Sequence, residues 1–111
     1  MIPPSDLEAA HRIKNTILSE AGKSVERIVF HGSRVVGRAR PNSDFDILVV
    51  LRDPVHDCVR EAQHLSELFV DFEHPVDIQV WGAEEFEDCR AVPATIAYPA
   101  DRHGIVLHAD A

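Results

Sequence analysis

The stretch HGSRVVGRARPNSDFDILVVL, from His31 to Leu51, changes character twice. It opens on a small flexible pair, Gly32-Ser33. It then crosses a loop that carries Arg34, Arg38 and Arg40 and no acid. It closes in an apolar run headed by two aspartates, Asp44 and Asp46. The run Asp44–Leu51 reads as a β-strand. Its unbroken apolar character predicts that both faces are covered, as in a central strand of an α/β sheet. A strand alternates its side chains with a period of two. Asp44 and Asp46 are therefore expected on one face, with Phe45 and Ile47 on the other, in the core. Two carboxylates side by side repel, and uncompensated repulsion raises a pKa. A hard divalent cation removes the conflict, and Mg²⁺ binds carboxylate and phosphate oxygens together.

The flanking sequence supplies the rest of an α/β domain. Ser5–Gly22 reads as a helix, with Ser5 and Glu8 in a capping-box pattern, Gly22 at the C′ position and Ala10, Ile13, Ile17 and Ala21 as its apolar stripe. Arg27–Phe30 reads as a short strand ending at His31-Gly32-Ser33. Asp53-Pro54 reads as an N-cap followed by proline at the first helical position. The helix that follows would bury Val55, Cys58, Ala62, Leu65 and Phe69. Val76–Trp81 alternates as a third strand, with Asp77, Gln79 and Trp81 on one face and Val76, Ile78 and Val80 on the other. If that strand neighbours Asp44–Leu51, Asp77 joins the aspartate pair. Three carboxylates around two cations make a two-metal phosphoryl-transfer site. A short helix near AEEFEDC and a last strand at Gly104–Ala109 complete the order. The expected fold is a single α/β domain over residues 1–111, with a short mixed sheet flanked by helices.

Composition limits the alternatives. At 111 residues, with 45% hydrophobic and 27% charged residues, the chain reads as one globular domain. No apolar run is long enough to span a bilayer, and the N-terminus lacks a basic segment followed by an apolar one. A net charge of −8 argues against general nucleic-acid binding, so any contact with nucleotide must be local. The arginine loop provides that local compensation. Arg38 and Arg40 read either as phosphate contacts or as solvated loop charges. Cys58 and Cys89 form no C-x-x-C, which suits a reducing cytoplasm. The seven histidines lack ligand spacing, which argues against zinc.

The pattern Gly32-Ser33, ten residues, Asp44-Phe45-Asp46, with Asp77 in the later strand, resembles the nucleotidyltransferase signature of the DNA polymerase β superfamily. It most resembles the minimal nucleotidyltransferases, and the likeness runs from the first helix to the last strand. The resemblance implies metal-dependent transfer of a nucleoside monophosphate, AMP from ATP, to an acceptor hydroxyl. It implies that Asp44 and Asp46 bind two Mg²⁺ ions, and that Asp77 binds one and helps deprotonate the acceptor. Gly32 and Ser33 would hold the triphosphate, with Arg34 beside them. His31 departs from the aromatic or aliphatic residue more usual before the glycine, and reads either as a tolerated change or as a further phosphate contact. Many proteins of this type are paired with HEPN-domain toxins, so the resemblance implies a HEPN-type partner or a homo-oligomer that supplies the acceptor surface. Two further readings stay open: an antitoxin that neutralises its partner by contact alone, and a transferase for a small molecule such as an aminoglycoside.

Overall fold

The computed structural model describes residues 2–110. Helix α1 (Pro4–Ala21) leads through a 3₁₀ turn into strand β1 (Val25–His31). A one-turn helix α2 (Ser33–Val36) and the arginine loop then lead to β2 (Phe45–Leu51). Helix α3 (Cys58–Ser66), β3 (Val76–Gly82), α4 (Ala83–Cys89), α5 (Ala97–His103) and β4 (Ile105–Ala109) follow. The sheet order is β3-β2-β1-β4. β2 is antiparallel to β1 and parallel to β3, and β1 is antiparallel to β4. This is the small mixed-sheet α/β fold that the pattern of elements predicts.

Strand alternation divides the interior into two parts. On one face Ile28, Phe30, Phe45, Ile47 and Val49 pack against Ala10, Ile13 and Ile17 of α1 and Leu65 and Phe69 of the α3 segment. On the other face Val29, Leu48 and Val50 pack against Phe86 of α4 and Ala97 and Ala100 of α5. β2 is apolar on both faces because it lies inside the sheet, with helices on either side. Arg90, the C-cap of α4, ties that helix to α5: it pairs with Glu87 of α4 and donates to Asp101 at 2.6 Å.

Several caps differ from the sequence reading. Pro4 occupies the first turn of α1 and Pro3 is the N-cap, so the helix starts before Ser5 and the Ser5–Glu8 box does not form. The Pro3 carbonyl accepts from the Asp6 and Leu7 amides instead. Gly22 keeps a right-handed conformation and continues into the 3₁₀ turn. The N-cap of α3 is Asp57, which accepts from the Arg60 amide at 3.0 Å. Asp53 does cap a helix, but a different one: its carboxylate accepts from the Glu84 amide of α4 at 2.8 Å. The side chain suits a helix N-terminus, and tertiary packing decides which one it meets.

Candidate functional site

The site grows out of three adjacent strands. In the β1–β2 ladder His31 stands opposite Asp46, and in the parallel β2–β3 ladder Asp46 stands opposite Asp77. His31, Asp46 and Asp77 thus form one row across the sheet. Asp44 lies just before β2 and shares the face of Asp46 through the two-residue period. A carboxylate oxygen from each of Asp44, Asp46 and Asp77 lies within 4.8 Å of the others. Asp44 and Asp77 are exposed and Asp46 is half-buried.

The electrostatics follow from this crowding. Burial pushes the Asp46 carboxyl above the usual carboxylate range. The charge of His31 opposes that shift, and the neighbouring Asp77 and Asp44 reinforce it. A site with three converging hard oxygen donors and an uncomfortable carboxylate fits a divalent cation, which would neutralise the cluster. These three residues are the ones that could hold Mg²⁺.

Gly32 follows β1 as the N-cap of α2, with φ +88°. A Cβ at this position would fall on Oδ2 of Asp46. Only glycine allows the turn and the carboxylate to occupy the same corner. Ser33 opens α2, and the Val35 amide closes that turn on the Gly32 carbonyl at 3.0 Å. Gly32 therefore sits against the triad, with Ser33 next to it in the chain.

Arg34 is not brought to them. Its guanidinium lies over the Phe45 ring, 4.4 Å from the centroid, and Phe45 faces away from Asp46 into the α1–α3 core. There it pairs with Asp6 of α1 at 3.2 Å and donates to the carbonyls of Ser43 at 2.9 Å and Pro41 at 3.2 Å. The phosphate-binding reading of Arg34 is corrected on this point: the residue staples the loop to α1. The one-turn helix α2, absent from the sequence reading, rotates it to that side. Arg38 and Arg40 stay exposed in the loop and have no ion-pair partner among the described residues.

Gln79, beside the triad, had no role assigned from sequence. Gln79 donates to Oδ2 of Asp77 at 2.7 Å. Its carbonyl oxygen meets Nε2 of His31 at 2.8 Å. The signal was present in the alternation of β3, which sets Gln79 on the face of Asp77. What the sequence lacked was the pairing that brings His31 within reach. Trp81, half-buried on the same face, packs against the α4–α5 core.

A groove of about 790 Å³ runs along β3, which is an edge strand. It is lined by α3 residues including Cys58, Val59 and Ala62, by Val70, and by Ile78 to Trp81 of β3. Gln79 belongs to both the groove and the triad's surroundings.

No curated protein matches the chain. A crystal structure of the toxin–antitoxin pair MntA–HpeT, carrying two aspartate-to-glutamate changes, superposes with a TM-score of 0.63 at 17% identity, covering 90% of this chain and 73% of that one. A crystal structure described as a putative nucleotidyltransferase from Sulfolobus solfataricus superposes with a TM-score of 0.57 at 19% identity, covering 94% and 86%. At these identities the likeness concerns the fold. Residues 11–99 match the family model of the nucleotidyltransferase domain, a span that holds Gly32, Ser33 and all three aspartates. The chain belongs to the nucleotidyltransferase domain family.

Proposed function

We propose that the protein transfers AMP from ATP to a hydroxyl of a partner protein, with Asp44, Asp46 and Asp77 holding two Mg²⁺ ions. The observation that carries this reading is the convergence of three carboxylate oxygens within 4.8 Å beside the Gly32-Ser33 turn. The cations would neutralise triphosphate charge and make the acceptor hydroxyl more acidic. Gly32 packs against Asp46, so phosphates held by the Gly32 and Ser33 backbone lie beside the carboxylates. Arg38 and Arg40 add positive charge at the loop. Asp77, exposed at the sheet edge, takes the proton from the acceptor hydroxyl. The acceptor oxygen then bonds to the α-phosphorus as the bond to pyrophosphate breaks in line.

The partner in this reading is a HEPN-type protein, as toxin is to antitoxin in the MntA–HpeT pair. That structure's two aspartate-to-glutamate changes are two residues apart, the spacing of Asp44 and Asp46. The β3 groove is the docking surface: it adjoins Asp77 through Gln79 and carries Glu67 and Glu85 among its apolar residues. A net charge of −8 disfavours a second copy there and favours an apolar partner segment flanked by Lys or Arg. Among the described residues no helix is long and apolar enough to cross a membrane. Cys58 and Cys89 are free thiols, in keeping with the reducing cytoplasm proposed for the pair.

The test is co-purification from the native host, then incubation with labelled ATP and Mg²⁺ and mass spectrometry of the bound protein. Added nucleoside monophosphate on a partner side chain, lost with Asp44→Asn, is the expected result. A stable, unmodified complex indifferent to Asp44→Asn would support the contact-only antitoxin instead, which the apolar groove also suits. Efficient modification of a small molecule without a partner would overturn both.

A further inference from the structure

We infer that His31 and Gln79 are positioning residues, which together hold the Asp77 carboxylate in the orientation that binds a cation. This rests on the metal-site reading above. The geometry defines the direction of each hydrogen bond. An ionised carboxylate only accepts, so the atom of Gln79 that meets Oδ2 of Asp77 at 2.7 Å is the amide nitrogen. The carbonyl oxygen of Gln79 then faces His31 and must accept, so Nε2 of His31 carries the hydrogen at 2.8 Å. Both the neutral Nε2–H tautomer and the imidazolium carry it, so the chain holds in either charge state.

Each link corrects a weakness of the one before. Asp77 is exposed on an edge strand. Gln79 supplies a donor from two residues along the same face, yet glutamine is itself flexible. His31 supplies the rigid end: it is only 9% exposed and sits on β1, inside the sheet. Gln79 therefore links Asp77 on β3 to His31 on β1, the two ends of the row His31–Asp46–Asp77. With one lone pair of Oδ2 engaged, the Asp77 carboxylate still keeps an oxygen within 4.8 Å of those of Asp44 and Asp46. A partner of this kind behind a metal ligand fixes the ligand's orientation, and its loss costs 10–100-fold in metal affinity or activity.

The test is calorimetric titration of Mn²⁺, as probe, into the protein with an ATP analogue bridged by methylene between the α- and β-phosphates. Gln79→Leu and His31→Phe are each expected to weaken Mn²⁺ binding about tenfold, with melting temperature monitored alongside. The double variant is expected to bind no more weakly than Gln79→Leu, since both changes break one chain. His31→Gln, whose amide N–H can replace Nε2–H, is expected to stay within about threefold of the unaltered protein. Unchanged binding in Gln79→Leu, additive losses in the double variant, or equal losses in His31→Gln and His31→Phe would each overturn the inference. If His31→Phe does not fold, Gln79→Leu on the exposed edge strand and His31→Gln decide it: a tenfold loss in the first alone supports the chain. Asp46→Asn separates this inference from the one beneath it. Binding that survives Asp46→Asn removes the metal site and the chain's role with it. Binding lost in Asp46→Asn yet intact in Gln79→Leu removes only the positioning role.

Discussion

Phe45 and Asp46 are neighbours in sequence and opposites in environment. Phe45 is fully buried between Phe30 and the Arg34 guanidinium, on the face covered by α1 and α3. Asp46 faces the other way, where α4 and α5 cover only the part of the sheet around Leu48 and Val50. The first face has a continuous apolar core, and each fully buried side chain there contributes about 1.5–3 kcal/mol. The second face divides its length: apolar packing at one end and an open carboxylate cluster at the other. Stability is thus concentrated on one side of β2 and chemistry on the other, on consecutive residues of the strand. A site placed this way can accumulate like charge without opening the main core.

That division can be broken experimentally, and the largest expected effect lies on the chemical side. Asp44→Asn and Asp46→Asn should each lower transfer to a modified partner about 10³-fold, about the cost of losing one charge-stabilising group. Circular dichroism should report an unchanged fold. Retained activity in both variants would remove the catalytic assignment. Across the strand, Phe45→Ala should cost about 3–5 kcal/mol in denaturant unfolding, the range for a large aromatic cut from a core. The protein that remains folded should still bind Mg²⁺-ATP. If binding fell further than the folded fraction, the two faces would not be independent.

Arg34→Met sharpens the comparison at the loop between the faces. It leaves the Asp6 carboxylate, 13% exposed, without its ion pair and two loop carbonyls without a donor. A loss of about 3 kcal/mol in stability is expected, with ATP affinity changed little once the folded fraction is counted. The reverse result, weak ATP binding at full stability, would return Arg34 to the phosphates.

The smallest effect is a dependence of stability on pH. Burial holds the Asp46 pKa above its unfolded value, so between those two values the folded state binds more protons than the unfolded one. In the metal-free protein, ionising Asp46 therefore costs stability as pH rises from the ordinary carboxylate value through the raised one. Asp46→Asn should melt a few degrees higher than the unaltered protein at neutral pH. The gain should vanish near pH 3, where both forms are neutral. Added Mg²⁺ should reverse the order, stabilising only the protein that keeps Asp46. A gain of equal size at both pH values would mean that packing, not charge, is responsible.

Much of this arrangement was written along the chain, because alternation along a strand is a local property. The period of two placed Asp44 and Asp46 together, Phe45 and Ile47 opposite them, and Gln79 on the face of Asp77, with no knowledge of neighbours. The unbroken apolar run of β2 likewise announced a strand covered on both faces, and the Gly-Ser turn and Asp-x-Asp spacing carried the family resemblance. Tertiary structure decided everything that depends on which strand lies beside which. The parallel register of β2 and β3 brings Asp77 opposite Asp46, and the antiparallel register of β1 adds His31 to the row. The turn of α2 sends Arg34 to the core face, where Asp6 and the Phe45 ring compete for it more effectively than solvent does. Asp53 kept its capping chemistry and found its helix thirty-one residues away. Side-chain chemistry and periodicity are encoded residue by residue. Pairing is a global minimum over many possible neighbours, so a charged or capping group's partner emerges only when the sheet closes.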